Sequence, residues 1–232
     1  MGKVDLVRFD SAEALAQGVA GEWLQLAALS RAQPQYYAAF SGGRIAEGLF
    51  VAITSKVRQC NGTLAGVRFF WADERCVPPD DPESNYQLMR THLLEPLQIP
   101  DAQVHRIKGE LGPTAAAREA SKEFADTVPR VLDFVFLGMG EDGHIASIFP
   151  GDRLQESSAE NYCPVFNAPK LPRERVTLAM HAIIAAANVW VLVTGSGKQE
   201  ALGKSLKGSE TPLGHLLQAR PFTRIFTNIT PK

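Results

Sequence analysis

Four consecutive apolar residues at positions 134–137 open directly into a glycine-rich loop that ends on a histidine. A run that is apolar at every position suits a strand covered on both faces, as the strands of parallel sheets are. The loop, residues 138–144, presents Asp142 and His144. We therefore expect a central strand of a parallel sheet with a polar loop at its carboxyl end.

Short apolar runs alternate with helical patterns along the whole chain, which is typical of α/β proteins. The predicted strands are residues 4–9, 35–40, 67–71, 104–107, 134–137, 176–178, 189–193 and 224–227. The pattern predicts a single doubly wound, mostly parallel sheet with helices on both faces, a Rossmann-like arrangement. A chain of 232 residues without a shift in composition favours one domain, residues 1–232.

The composition argues against several classes of partner. The net charge of −1 provides no overall positive field that would gather nucleic acid or anionic lipid. No apolar run reaches the ~18 residues that a membrane span needs. Cys60, Cys76 and Cys163 form no C-x-x-C pair, which argues against a disulfide framework or a structural zinc site and favours the cytoplasm. The expected assembly is a monomer or a small homo-oligomer.

Polar or glycine-rich segments follow four of the predicted strands. They are Ser41-Gly42-Gly43, Asp73-Glu74-Arg75, the loop from Gly138 to His144, and the loop from Gly195 to Lys198. The carboxyl ends of parallel strands meet at one edge of a sheet, where ligands of such proteins bind. We expect all four segments to converge there.

His144 is the strongest candidate for proton transfer, because imidazole titrates near neutral pH. Asp142, two residues earlier, can orient it or stabilise its charge. The alternative is an ordinary histidine in a surface turn. The glycines of the same loop also match the dinucleotide pattern G-x-G-x-x-G, but the loop lies past mid-chain and no acidic residue follows on a next strand about 20 residues later.

Two further segments each allow two interpretations. Asp73, Glu74 and Arg75 predict either a clamp whose guanidinium holds an anion or a solvated cluster of salt bridges. The residues Ser41-Gly42-Gly43 precede a predicted helix, whose first N–H groups can hold a phosphate or an oxyanion. The alternative for them is a plain turn.

Taken together and in order, the motifs resemble the 6-phosphogluconolactonase family. They are Trp71-Ala-Asp73-Glu74-Arg75-Cys-Val-Pro, Ser84-Asn85-Tyr86, Gly138-Met-Gly140-Glu-Asp142-Gly-His144-Ile-Ala-Ser147-Ile-Phe149-Pro150-Gly151, Arg175-Val-Thr177 and Gly195-x-x-Lys198. The resemblance implies a fold of the sugar-phosphate isomerase type. It also implies hydrolysis of 6-phosphoglucono-δ-lactone, a small sugar-phosphate lactone, with no metal or organic cofactor.

The motifs and the resemblance together give two sets of candidate site residues. The candidate catalytic residues are His144, Asp142, Asp73 and Arg75. The candidate substrate- and phosphate-binding residues are Ser41, Gly42, Gly43, Arg44, Arg75, Arg175 and Lys198. In this hypothesis His144 activates water, and either Asp142 or the Asp73–Arg75 pair is its partner.

One segment departs from the family pattern. The family usually has Ser-Gly-Gly-Ser-Thr-Pro where this chain has Ser-Gly-Gly followed by Arg44, Ile45 and Ala46. Arg44 either contacts phosphate or points to solvent. The alternatives for the function are an enzyme resembling glucosamine-6-phosphate deaminase and a non-catalytic sugar-phosphate-binding protein. The residues after His144 argue against the deaminase, because they lack the acid that this enzyme has there.

Overall fold

The computed structural model describes residues 2–29, 35–152 and 159–232. The strands of this part of the chain are β1 Lys3–Arg8, β2 Tyr36–Phe40, β3 Val67–Trp71, β4 Asp73–Arg75, β5 Val104–His105, β6 Phe134–Gly138, β7 Tyr162–Val165, β8 Arg175–Leu178, β9 Asn188–Val193 and β10 Phe222–Thr227. Its α-helices are α1 Ala12–Leu29, α2 Arg44–Gln59, α3 Asn85–Met89, α4 Pro113–Thr127, α5 Met180–Ala185, α6 Gln199–Leu206 and α7 Pro212–Ala219. A π-helical turn, Arg90–Leu94, continues α3.

Seven strands form a parallel sheet in the order β1-β10-β9-β6-β2-β3-β5. Strand β6 lies in the middle, between β9 and β2, and its first four residues are buried. This confirms the central strand that the apolar run at 134–137 predicts. The physical reason is that this strand is covered on both faces, so every position is apolar.

The chain winds in two directions across this sheet. From β2 it passes through α2 to β3 and on to β5, toward one edge. From β5 it returns through α4 to β6 and then runs through β9 and β10 toward the other edge. Because crossovers between parallel strands are right-handed, helices on the two routes lie on opposite faces. The doubly wound arrangement is confirmed, and its switch point lies between β2 and β6.

A second sheet of three antiparallel strands, in the order β4-β8-β7, was not predicted. Its register pairs Asp73 with Thr177 and Arg75 with Arg175. The sequence predicts residues 73–75 as a polar segment that follows the third strand, and three charged residues carry no apolar alternation that would indicate a further strand. Pro164 within β7 likewise weakens the strand signal there. The helix α7 was also missed, although Thr211 and Pro212 are typical N-cap and N1 residues.

Aromatic rings fill the space between the sheet and α1. The rings of Phe40 and Phe136, on neighbouring strands, stack with their centroids 4.9 Å apart. Trp23 of α1 packs edge-on against Phe136 at 5.9 Å, and Trp190 of β9 meets Phe136 at 5.8 Å. This cluster fixes the middle of the sheet beneath the switch point. Among the described residues, no helix has the length and apolar character that crossing a membrane requires.

Candidate active site

The loops that follow β2 and β6 lie side by side at the switch point. The Ser41 N–H donates to the Phe136 carbonyl at 3.0 Å. A Cβ built on Gly138 would lie 4.0 Å from the Gly42 carbonyl oxygen, so the two glycine segments are neighbours. Strand β9 pairs with β6 on its other side and brings the loop with Lys198 to the same edge. The predicted convergence of these loops is confirmed.

Asp142 contacts His144 through both the side chain and the backbone. Its Oδ1 lies 2.6 Å from His144 Nδ1 and also accepts the His144 N–H at 3.1 Å. Burial opposes ionisation of the carboxyl, but the hydrogen bond and charge of His144 outweigh it and lower the pKa of Asp142 to about 2. Because an ionised carboxylate only accepts, Nδ1 carries a hydrogen, and Nε2 is the nitrogen that can take up a proton.

The glycines of this loop make room for the side chains of the loop and its neighbours. A Cβ on Gly140 would lie 2.0 Å from His144 Nδ1 and 2.7 Å from Asp142 Oδ1. Gly143 has a φ of +83°, and a Cβ there would lie 2.8 Å from the Thr211 side chain. The spacing that resembled a dinucleotide loop thus allows a tight turn on which the imidazole packs directly.

Phe149 and Arg175 form the wall beside His144. The rings of His144 and Phe149 have centroids 4.7 Å apart, and the guanidinium of Arg175 lies 5.8 Å from the Phe149 ring centre. Arg175 is 6% exposed, and its Nε and Nη2 donate to the carbonyls of Pro172 and Lys170. Burial, followed by the charge of Arg75, lowers the pKa of Arg175. A buried guanidinium held in one orientation is suited to binding an anion.

Asp73 is buried and does not share the partner of Asp142. Its Oδ2 accepts a hydrogen bond from Ser147 Oγ at 2.8 Å, and its backbone carbonyl accepts one from Asn85 Nδ2 at 2.8 Å. Asn85 also packs on the β2 loop, since a Cβ on Gly42 would lie 1.9 Å from Asn85 Oδ1. Asp73 therefore joins the β2, β4 and β6 loops, while Asp142 makes the side-chain contact to His144.

Glu74, which no sequence pattern distinguished from its charged neighbours, caps the start of α3. Its carboxylate accepts from the N–H groups of Arg75, Asn85 and Tyr86 and from Ser84 Oγ. Burial raises the pKa of Glu74 to about 7, while these four donors favour its ionised form. The Ser84-Asn85-Tyr86 motif is therefore the amide cradle of a buried carboxylate.

Arg75 is engaged within the chain. Its Nη1 donates to the Glu83 carbonyl at 2.6 Å and lies 3.5 Å from a Glu83 carboxylate oxygen. Its partner across the small sheet is Arg175, so two guanidinium groups start from adjacent positions. Of the two predictions for this segment, the structure contains the salt bridge, and the anion clamp stays a prediction.

The other predicted binding residues lie around the start of α2, the helix that follows β2. Ser41 is 9% exposed, and among the described residues its buried Oγ has no hydrogen-bond partner. Gly43 has a φ of +96° and precedes Arg44, the first residue of α2. Burial lowers the pKa of Lys198, the nearby positive charge of Arg44 lowers it further, and Glu141 acts in the opposite direction. Within the described ranges, no group of three or more His, Cys, Asp or Glu side chains is arranged to hold a metal.

An α/β fold that gathers a histidine loop and cationic side chains at its switch point is suited to an enzyme that binds an anionic substrate. The family model described as glucosamine-6-phosphate isomerases/6-phosphogluconolactonase matches residues 10–225, and the chain belongs to this family. Within it, the human 6-phosphogluconolactonase is 35% identical over 210 residues, which are 87% of this chain and 81% of the human protein. The 6-phosphogluconolactonase of Haemophilus influenzae is 30% identical over 200 residues, with 86% and 84% covered.

A shorter match is higher in identity. The 6-phosphogluconolactonase of Treponema pallidum is 43% identical over 142 residues, which are 59% of this chain and 58% of that protein. Among solved structures, the 6-phosphogluconolactonase of Trypanosoma brucei has a TM-score of 0.86 at 25% identity, with 98% of this chain and 97% of that chain covered. A monomeric glucosamine-6-phosphate deaminase has a TM-score of 0.82 at 18% identity over 96% and 97% of the two chains, a likeness in fold alone.

Proposed function

We propose that this chain hydrolyses 6-phospho-D-glucono-1,5-lactone to 6-phospho-D-gluconate, in the oxidative pentose phosphate pathway. The observation that carries the proposal is the contact of His144 with Asp142 at the switch point, in a chain whose curated relatives are 6-phosphogluconolactonases. A δ-lactone is a cyclic ester. Its hydrolysis needs a positioned water, a proton carrier and stabilisation of the tetrahedral oxyanion.

His144 is the proton carrier in this proposal. Its Nδ1–H is held by the Asp142 carboxylate at 2.6 Å, which leaves Nε2 to accept a proton from water as the water oxygen attacks C1. The same imidazole then delivers the proton to the ring oxygen as the C1–O bond breaks. Asp142 fixes the tautomer and stabilises the imidazolium that forms between the two steps.

The amides at the start of α2 are the proposed oxyanion donors. Gly42 and Gly43 lie beside the β6 loop, and the first N–H groups of a helix are unpaired and carry a partial positive charge. The buried hydroxyl of Ser41 offers one further donor at this point.

Arg175, Lys198 and Arg44 are the proposed anchors of the 6-phosphate. The orientation of Arg175 is already set by two backbone carbonyls, so little freedom is lost when an anion binds. Lys198 and Arg44 are close enough for the positive charge of Arg44 to lower the pKa of Lys198. Binding the phosphate far from C1 holds the lactone for attack. In this proposal Arg75 supports the phosphate site and Asp73 orients a sugar hydroxyl.

The proposed reaction uses no metal and no organic cofactor, and the water and the protein supply all reacting groups. Three free cysteines, Cys60, Cys76 and Cys163, support the proposal that the chain works in a reducing compartment such as the cytoplasm.

The deciding experiment measures hydrolysis of 6-phosphogluconolactone above its spontaneous rate, for the wild-type chain and for His144→Ala. We expect the variant to lower kcat by about 10² to 10⁴-fold with a smaller change in KM. His181→Ala, an exposed histidine on α5, is the matched control and should retain wild-type kcat.

Three results would contradict the proposal in different ways. If the wild-type protein leaves the spontaneous rate of hydrolysis unchanged, the chain is not a lactonase. Ammonia release from glucosamine 6-phosphate would indicate the deaminase instead. Full activity of His144→Ala would leave the activity in place but remove His144 from the chemistry.

A further inference from the structure

A buried hydrogen bond connects the loop that carries His144 with the small antiparallel sheet. Ser147 follows His144 by three residues and is 0% exposed, and its Oγ donates to Asp73 Oδ2 at 2.8 Å. Asp73 is 5% exposed, so both members of the pair are shielded from water. A buried hydrogen bond to a carboxylate is strong, and a partner left alone there is costly.

Both ends of this bridge are held by further contacts. On one side, the Ser147 N–H donates to Thr177 Oγ1 at 3.2 Å, and Thr177 lies opposite Asp73 in the sheet register. On the other side, the Asp73 carbonyl accepts from Asn85. The sheet and Asn85 thus hold the backbone of Asp73, and Ser147 sets the orientation of its carboxylate.

The backbone immediately before Ser147 requires such an anchor. Ala146 has a φ of +48°, in the left-handed region that non-glycine residues rarely adopt. A strained conformation of this kind persists only where tertiary contacts hold it, and such positions cluster at functional sites. The two hydrogen bonds of Ser147 tie the loop at this point to the small sheet, beside the backbone bridges that Ile145 makes with Met139 and Ile148.

We propose that Ser147 is a positioning residue, which sets the placement of His144 relative to Asp73 during lactone hydrolysis. The inference rests on the proposed function. Ser147 acts through the loop and through the orientation of Asp73, and takes no part in the proton transfers.

The first experiment compares the kinetics of Ser147→Ala, Ser147→Cys and Ser121→Ala. We expect Ser147→Ala to lower kcat by about 10 to 100-fold with KM changed far less, because a small misplacement of reacting groups is costly in rate. Ser147→Cys keeps a weak donor and should restore part of kcat. Ser121 is a buried serine whose Oγ donates to the Tyr162 carbonyl and accepts the Tyr162 N–H. Ser121→Ala therefore removes two buried hydrogen bonds away from the site and should keep kcat.

The second experiment is a double-mutant cycle with Asp73→Ala, which removes the acceptor of the Ser147 hydrogen bond. If Ser147 acts through Asp73, adding Ser147→Ala to Asp73→Ala should change kcat by less than about 3-fold, since the two changes then share one effect. Fully additive losses would contradict the proposed bridge.

The third experiment does not depend on activity. Hydrogen exchange of the backbone amides at residues 140–149 should accelerate at least several-fold in Ser147→Ala and stay unchanged in Ser121→Ala. If the wild-type chain has no lactonase activity, the proposed function fails, whereas this exchange still tests the bridge. If Ser147→Ala does not fold, Ser147→Cys provides both measurements. Wild-type kcat together with unchanged exchange in the Ser147 variants would overturn the inference.

Discussion

At the scale of single residues, the central relation is the 2.6 Å contact between His144 and Asp142. The two residues are separated by Gly143, whose positive φ turns the chain so that both side chains face each other. The contact holds the pKa of Asp142 in the folded state well below its ordinary value. It also selects which imidazole nitrogen is available, which is the property that proton transfer requires.

The lowered pKa of Asp142 predicts a dependence of stability on pH. The carboxyl has a pKa of about 2 in the folded chain, below its ordinary value of 3.8, so its stabilising contribution is complete above about pH 5 and is lost as pH falls toward 2. Since the side chain is 41% exposed, we expect about 1 kcal/mol in all.

Urea unfolding of wild type and Asp142→Asn at pH 5 and pH 3 measures this contribution. The difference in the free energy of unfolding between the two proteins should be smaller at pH 3 by about half. If the difference in the free energy of unfolding between wild type and Asp142→Asn is the same at both pH values, the contact of Asp142 with His144 does not stabilise the fold.

Part of the site was visible from single residues. Asp142 and His144 lie two positions apart on a glycine loop, so their contact depends on local geometry and the sequence indicates it. The choice between Asp142 and Asp73 as the partner of His144 depends on packing between distant segments. Ser147 donates a hydrogen bond to Asp73 Oδ2 although the two residues are 74 positions apart in the sequence, and no local pattern predicts such a bond.

At the scale of elements, the β6 loop is shaped by the small size of its glycines. Gly140 accommodates the His144 imidazole, and its N–H donates to the His144 carbonyl at 2.9 Å. The loop therefore closes on itself and presents the imidazole from a tight turn.

Gly140→Ala should displace the imidazole, because the added Cβ would lie 2.0 Å from His144 Nδ1. We expect kcat to fall by about 100-fold, the order of loss that a shift of about 1 Å in a catalytic group causes. Gly66→Ala is the matched control, since a Cβ there meets nothing within 4 Å, and it should leave kcat near wild type. Steady-state lactone hydrolysis of both variants provides the check, and an active Gly140→Ala would show that the loop tolerates the displacement.

Elements with a strong local signal were predicted closely, and those without one were missed. The runs at 67–71 and 189–193 agree with β3 and β9 to within a residue, because buried apolar residues fill every position of 189–193 and every position of 67–71 except Arg68. Strand β4 consists of Asp73–Arg75 and owes its conformation to pairing with β8, 100 residues further along the chain. Such pairing has no signal within three charged residues.

At the scale of the whole molecule, the aromatic cluster under the switch point connects stability with the site. Phe136 is 3% exposed and lies in β6, the strand that leads into the His144 loop. Its ring stacks on Phe40 of β2, the strand that leads into the β2 loop. Both loops therefore start from strands fixed by the same packing.

Phe136→Ala should reduce the free energy of unfolding by about 3–5 kcal/mol, because the substitution leaves a cavity in a close-packed core. Phe222→Ala, at a position that is 43% exposed, should cost far less, within about 1 kcal/mol. Chemical denaturation of the two variants against wild type gives both values. Equal losses would show that the cluster around Phe136 does not dominate the stability of the sheet. The single domain over residues 1–232 stays a prediction at this scale.

The sequence by itself determined the alternation of strands and helices, the central place of β6 and the edge at which the loops converge. These follow from local periodicity and from the rules of parallel sheets, which need no knowledge of distant contacts. Only the tertiary structure decided the second sheet and the bridge from Asp73 to Ser147. Those features join segments that are far apart in the chain, and their energies depend on burial and hydrogen-bond geometry that exist only once the chain is packed.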